Sequence, residues 1–228
     1  MMSLKDVFDR DFLLTHNIPE NKRQQIKQEC TNASDFDLID PDPKIDPEEK
    51  IIVEFGKGTG SFGNNAEYNI EILAYDNLLK SYNNYNSFKG VKICDFILYS
   101  NENSTIVLND HTSSIGNREK LETEKDSKTG ITKFQKVEKQ LSDTLEKLQA
   151  VDSLNGIIEK CTTKICLLSY RLFYDKNNPT QAPTAFNRPQ LAIAKATGED
   201  GAKFSCPDIE EKGFEFRRIL HNYKFKLS

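Results

Sequence analysis

The stretch Lys92–Ser114, KICDFILYSNENSTIVLNDHTSS, holds two apolar runs joined by the polar turn NENS, and each run carries an aspartate. Both runs are short and rich in Ile, Leu, Val, Phe and Tyr, so they read as strands at 91–100 and 104–110 in a hairpin-like connection. Asp95 lies inside the first run and Asp110 ends the second. Burying a carboxylate costs several kcal/mol unless something pairs with it. Two carboxylates near one end of neighbouring strands come within a few ångströms, and they repel unless one is protonated or a cation lies between them. Mg²⁺ takes oxygen ligands at about 2.0–2.1 Å, commonly one or two carboxylates plus water and substrate phosphate. Mg²⁺ (or Mn²⁺) therefore suits the pair. The plainer alternative is two strand-end acids, with Asp110 capping the turn NDHTSS.

Working outward, the spacing of Ile70, Leu73, Leu78 and Tyr82 predicts a helix over 65–83, before the hairpin. After it, SIGNREKLETEKDSKTG is charged and reads as a mobile loop. ITKFQKVEKQLSDTLEKLQAV then carries Phe134, Val137, Leu141, Leu145 and Leu148 in an apolar stripe under a charged face, the clearest helix in the chain. A short helix, SLNGIIEKC, precedes TKICLLSYRLFY, whose apolarity on both faces marks a central strand. The order helix, strand, strand, helix, strand predicts an α/β fold with a mixed central sheet flanked by helices.

Residues 1–49 read as two short helices, the second opening at Pro19, and then an acidic, proline-containing linker, SDFDLIDPDPKIDPEEK. Residues 50–175 form the α/β core, opening with the strand KIIVEF. Residues 176–228 supply a Pro-rich loop, an ambiguous QLAIAKAT, and two late strands, FEFRRIL and YKFKL, that complete the same domain.

The totals bound the function. At 228 residues the chain suits one domain with additions, and a net charge of -4 argues mildly against a purely electrostatic nucleic-acid binder. An enzyme that recruits divalent cations can nevertheless be acidic and act on phosphates. The five cysteines, Cys30, Cys94, Cys161, Cys166 and Cys206, read as reduced, buried thiols of a cytoplasmic protein. No run approaches the ~20 apolar residues of a membrane span, so no membrane partner is expected.

Gly58, Gly60 and Gly63 spell G-x-G-x-x-G after a strand, the local context of a dinucleotide site. The acid expected about 20 residues on is missing, because the next strand ends only near Tyr99. A flexible glycine loop is the better reading, and beside a cleft it could serve as a flap. Two basic and aromatic stretches, SYRLFYDK and FRRILHNYKFK, suit either phosphate contacts or, more plainly, core and edge strands.

The segments CDFILY, IVLNDHTSS, KQLSDTLEKL and KICLLSYRL resemble, in type and order, the PD-(D/E)xK nuclease superfamily and, within it, a group of bacterial proteins from Bacteroides-type genomes. The resemblance covers 90–175 and extends to 65 through the expected helix. It implies a restriction-endonuclease-like α-β-β-α-β core, metal-dependent cleavage of DNA or RNA, and a setting in bacterial defence or a mobile element. Asp95 matches the first cation-binding aspartate, Asp110 the second acid, the carbonyl of His111 the usual backbone ligand, and Glu71 (or Glu67) the helix glutamate some members add. Gln140 matches a glutamine on the following helix. The motif lysine is replaced by Thr112, which weakens the implied activity unless Lys136 or Lys139 of the next helix, or Lys133 at its start, reaches the same spot. The other classes of function left open are a catalytically silent nuclease-fold protein acting as an interaction subunit, with a protein partner or as a homodimer, and a small-ligand-binding α/β protein that uses the glycine loop.

Overall fold

A computed structural model describes residues 3–26, 28–39, 51–52, 59–115, 118–175, 201–220 and 223–227. The chain begins with a helical stretch, α1 (Leu4–Val7), a π-helical turn Phe8–Phe12 and α2 (Leu13–Thr15). Strands β1 (Gln28–Thr31), β2 (Asp35–Ile39), β3 (Ile51–Ile52), β4 (Thr59–Gly63) and β5 (Ile70–Ala74) follow, then α3 (Tyr75–Lys80). The hairpin is β6 (Phe96–Ser100) and β7 (Thr105–Ile115). Helices α4 (Arg118–Thr123), α5 (Lys133–Gln149) and α6 (Asp152–Lys160) lead into β8 (Thr163–Asp175). The chain closes with β9 (Ala202–Phe204), α7 (Pro207–Glu210), β10 (Glu215–Leu220) and β11 (Lys224–Lys226).

The large sheet has the order β1-β5-β6-β7-β8-β10-β9, with β3 pairing β8 beside it. Strands β5, β6 and β7 form an antiparallel meander, while β8 runs parallel to β7 and β10 parallel to β8. A parallel return needs a crossover, and α4, α5 and α6 supply it. Side-chain alternation then splits the core in two. Ile97, Tyr99, Ile106, Leu108, Cys166 and Leu168 face one side and pack with buried apolar residues of α1 through α7. Phe96, Leu98, Val107, Ile165 and Leu167 face the other side, against Leu38, Phe62 and Phe225 of a three-stranded sheet ordered β11-β4-β2. The fold is α/β with a large mixed sheet, helices on one face and a small sheet on the other.

Helix α5 forms as its sequence dictates. Thr132 accepts a hydrogen bond from the Gln135 backbone N–H at 3.2 Å, and the Gln135 side chain returns one from Thr132 N at 2.9 Å, a capping box. Phe134, Val137, Leu141, Leu145 and Leu148 are all buried. At roughly 1.5–3 kcal/mol for each large side chain removed from water, that stripe holds the helix on the sheet.

Several local expectations are corrected. Residues 70–74 are a strand, with Ile70 and Ile72 in the small-sheet core and Leu73 in the helix-side core; only 75–80 are helical. Apolar residues on both faces of a strand mimicked helical spacing there. The helix expected after Pro19 is a single 3-10 turn, Glu20–Lys22, followed by β1, which pairs with β5. The acidic linker opens with β2, whose Leu38 is buried while Asp35 and Asp37 are exposed. The charged loop contains α4, anchored by the fully buried Leu121. Gly60 and Gly63 lie in β4, a strand rather than a loop before a helix. The Pro-rich loop, QLAIAKAT, Gly58 and most of KIIVEF lie outside the described residues.

Candidate functional site

The last registered pair of the β6–β7 ladder is Phe96 opposite Asn109, so the next step along both chains sets Asp95 beside Asp110. Asp95 has left the strand, and three contacts fix it and its neighbours. Its carbonyl accepts the first two N–H groups of α3, from Tyr75 at 2.9 Å and Asp76 at 3.4 Å. Its carboxylate Oδ2 accepts the His111 backbone N–H at 2.8 Å. One residue earlier, Cys94 N donates to Thr144 Oγ1 at 2.9 Å, and that hydroxyl donates to the Gln140 carbonyl at 2.8 Å. The segment before β6 is thus tied to both α3 and α5.

Asp110 lies on the helix-side face of β7, under α5, and is 2% exposed. Gln140 Nε2 donates to Asp110 Oδ2 at 2.9 Å and to the Ile93 carbonyl at 3.1 Å. The Cys94 thiol donates to the Phe96 carbonyl at 3.4 Å; burial pushes its pKa well up, and the charges of Asp110 and then Asp95 push it further. These effects hold it as the neutral thiol.

His111 continues the strand, so its side chain faces the small sheet, away from Asp110. Its ring is 5% exposed, sits 5.6 Å from the Phe96 ring, and places Nδ1 3.7 Å from Asp95 Oδ2. Beside it Asn109 Nδ2 donates to the Leu167 carbonyl at 3.1 Å and to Ser169 Oγ at 3.0 Å. Gly60 of β4 passes over this polar row at close range.

The structure brings together Asp95, Asp110, His111 and Gln140. Thr112, two residues past Asp110 and opposite Tyr170, shares Asp110's face by strand alternation. Glu71 is elsewhere: it lies opposite Tyr99, and its Oε2 accepts the Leu4 N–H that opens α1, at 2.6 Å. Four residues along β6 from Asp95, at about 3.3 Å per residue, is roughly 13 Å. Glu71 caps a helix, so it drops out of the ligand set expected for it. Glu67 is exposed, in a turn with φ 53°. Lys136 is exposed on α5 one turn before Gln140, and Lys133 lies a further turn back on the same stripe. Desolvation lowers the Lys133 pKa, with Glu124 opposing and Lys136 adding to the shift. Lys139 is paired with Asp143 at 3.4 Å.

Three basic residues of β10 and β11 have structural partners. Arg218 sits between the rings of Phe134 and Phe204, 4.2 and 4.1 Å from their centroids, with Glu138 at 2.6 Å. Arg217 bonds Glu215 at 2.9 Å, and Lys224 pairs with Asp35 at 2.8 Å. Tyr170 packs edge-on against Phe134 in the core. All five cysteines are free thiols, buried except Cys30, and Cys161 is pushed up to about 11 by burial.

Sequence reasoning missed the Ile93 carbonyl, Thr144, Asn109 and Ser169, and read Gly60 as part of a flexible loop rather than as a strand residue against His111. Thr144 had a signal, since it follows Gln140 by one helical turn on the stripe facing the sheet.

The donor set suits a hard divalent cation: two carboxylates from side chains and one backbone carbonyl, all oxygen. Gln140 donates to Asp110 and the His111 N–H to Asp95, in each case at the Oδ2 oxygen. No group of three or more His, Cys, Asp or Glu side chains gathers among the described residues. Water and substrate oxygens would complete the shell. No described helix is long and apolar enough to cross a membrane. In comparisons with known proteins, no family model, curated protein or solved structure matches the chain.

Proposed function

We propose that this protein hydrolyses phosphodiester bonds in DNA or RNA with the help of Mg²⁺ or Mn²⁺, as a divergent relative of the PD-(D/E)xK nucleases. The observation that supports it best is that Asp95 and Asp110 lie side by side where the β6–β7 ladder stops, with Gln140 of α5 on the buried acid. The order α3, β6, β7, α5, β8 agrees with the α-β-β-α-β core that the resemblance implies. The bacterial defence or mobile-element setting, and the cytoplasmic location, belong to this reading and rest on the resemblance and on thiol usage.

Asp95, Asp110 and the His111 carbonyl would hold the ion, which when bound lowers the pKa of a water and offsets charge on the phosphoryl oxygens. Gln140 orients the Asp110 carboxylate, and the His111 N–H orients that of Asp95. Lys136, with Lys133 one turn behind it, supplies the positive charge that Thr112 cannot, at the developing charge of the transition state. The His111 ring faces away from Asp110, which leaves it no part as a general base there.

Thr112 also favours a second reading, in which the fold persists as a silent interaction subunit, alone or as a homodimer. Incubating the purified chain with plasmid, single-stranded DNA and RNA in Mg²⁺ or Mn²⁺ separates the two. Cleavage that Asp95→Ala abolishes is the expected result. Intact substrates in every condition, at protein concentrations well above the nucleic acid, count for the silent fold.

A further inference from the structure

We infer that Gly60 and the His111 ring together position the Asp95 carboxylate, so that the small sheet sets the geometry of the proposed cation site from the face opposite Asp110. This rests on the divalent-cation reading of Asp95 given above.

Asp95 Oδ2 is held by the His111 backbone N–H at 2.8 Å and lies 3.7 Å from the ring's Nδ1. Whatever moves His111 therefore moves the carboxylate. The ring is enclosed by Phe96 on one side and by the Gly60 backbone on another. A Cβ at position 60 would stand 2.8 Å from His111 Nε2, 3.0 Å from Ser169 Oγ and 3.2 Å from Asn109 Oδ1. Asn109 and Ser169 are 0% and 2% exposed and bonded to each other, so neither can swing clear.

Strand β4 is equally constrained. Gly60 pairs with Leu38 of β2, while Ser61, Phe62 and Gly63 pair with β11. Phe62 is fully buried and stacks on Phe36 at 5.3 Å. With β4, Asn109 and Ser169 held, the contact that must give way to a methyl group is the nearest one, the His111 ring at 2.8 Å. Meanwhile the Asp95 backbone stays fixed by the N–H groups of α3. A methyl group at 60 should therefore turn the carboxylate while leaving the fold in place. Groups that orient a metal ligand typically change affinity about 10–100-fold when removed.

The test is a calorimetric Mn²⁺ titration of the full chain as wild type, Gly60→Ala, His111→Ala and the double variant, with thermal unfolding recorded alongside. The expected result is at least about tenfold weaker Mn²⁺ binding in folded Gly60→Ala, and little further loss when Gly60→Ala is added to His111→Ala. Wild-type affinity in Gly60→Ala, or a loss undiminished in the His111→Ala background, overturns the inference. A purely structural glycine would lower the melting temperature and leave the affinity of the folded protein unchanged. If Gly60→Ala does not fold, His111→Ala alone decides: affinity falls about tenfold if the ring holds Oδ2, and stays at the wild-type value if it does not. Should the wild type bind no Mn²⁺, the cation reading itself fails. The His111 amide proton resonance then judges positioning, since it moves in Gly60→Ala (or His111→Ala, for residue 111) toward its value in Asp95→Ala if Gly60 sets the contact, and stays put if not.

Discussion

Gln140 donates its side-chain N–H to Asp110 at 2.9 Å, so the long helix reaches into the sheet to hold its buried acid. The same nitrogen reaches the Ile93 carbonyl at 3.1 Å, two residues before Asp95. One amide therefore joins the acid of β7 to the segment that presents the acid of β6. Its loss should be felt in both stability and cation affinity.

Gln140→Ala leaves a carboxylate that is 2% exposed with one donor fewer. The expected destabilisation is about 1–3 kcal/mol by urea unfolding, the cost of stranding a buried polar group. Gln140→Glu should be worse, because it sets a second acid against Asp110. A Gln140→Ala protein as stable as wild type would remove Gln140 from the site.

Lys136→Ala should lower the cleavage rate about a hundredfold, the scale on which a single charge-stabilising donor matters. Substrate affinity should fall less. Thr112→Lys restores the motif's lysine on the Asp110 face and should recover rate in that background. The check is single-turnover cleavage of a labelled oligonucleotide across the four proteins. No recovery in the double variant would mean that position 112 does not reach the reacting phosphate.

His16 gives a pH dependence separate from the site. Its ring is buried between Phe12 and Phe88, with Nε2 3.3 Å from the Lys147 carbonyl, and burial lowers its pKa below the ordinary 6.5. A histidine depressed in the folded state favours folding while it is neutral. That contribution is present above about pH 6.5, the unfolded value, and is lost as pH falls through the lower folded value. Melting temperatures between pH 8 and pH 5 should therefore fall more steeply for the wild type than for His16→Phe. Parallel curves would contradict the assignment.

Thr132→Ala removes the side-chain half of the capping box on α5. It should cost about 1 kcal/mol. Because Gln140 rides on that helix two turns further along, cation affinity should hold while stability drops. Equilibrium unfolding and calorimetry on the same preparation measure both.

Much of the frame was legible in the sequence because periodicity reports burial. The all-buried run of β6, the stripe of α5 and the two-faced apolarity of β8 each had one physical solution. The placing of the two acids was legible in part: they sit where the β6–β7 ladder stops, but β7 does not end at Asp110 as expected and runs on to Ile115, because β8 keeps pairing with it. What failed was local. Ile70, Leu73 and Leu78 fit helical spacing because β5 is buried on both faces, a pattern that a single window cannot separate from a helix. Glu71 was assigned to the acids from a helix that does not exist at that position; as a strand residue it points at the N-terminus of α1 instead. Gly60 read as flexibility, whereas its lack of a side chain serves a close approach to His111 that only tertiary packing reveals.

The central claim is that Asp95 and Asp110 share one divalent cation. Diffraction from crystals soaked in Mn²⁺, recorded for the metal's anomalous signal, tests it most directly. The expected result is a single strong peak within about 2.2 Å of a carboxylate oxygen from each aspartate, lost in Asp95→Ala. A peak that touches only one of the two acids, or none at that end of the sheet, would contradict it.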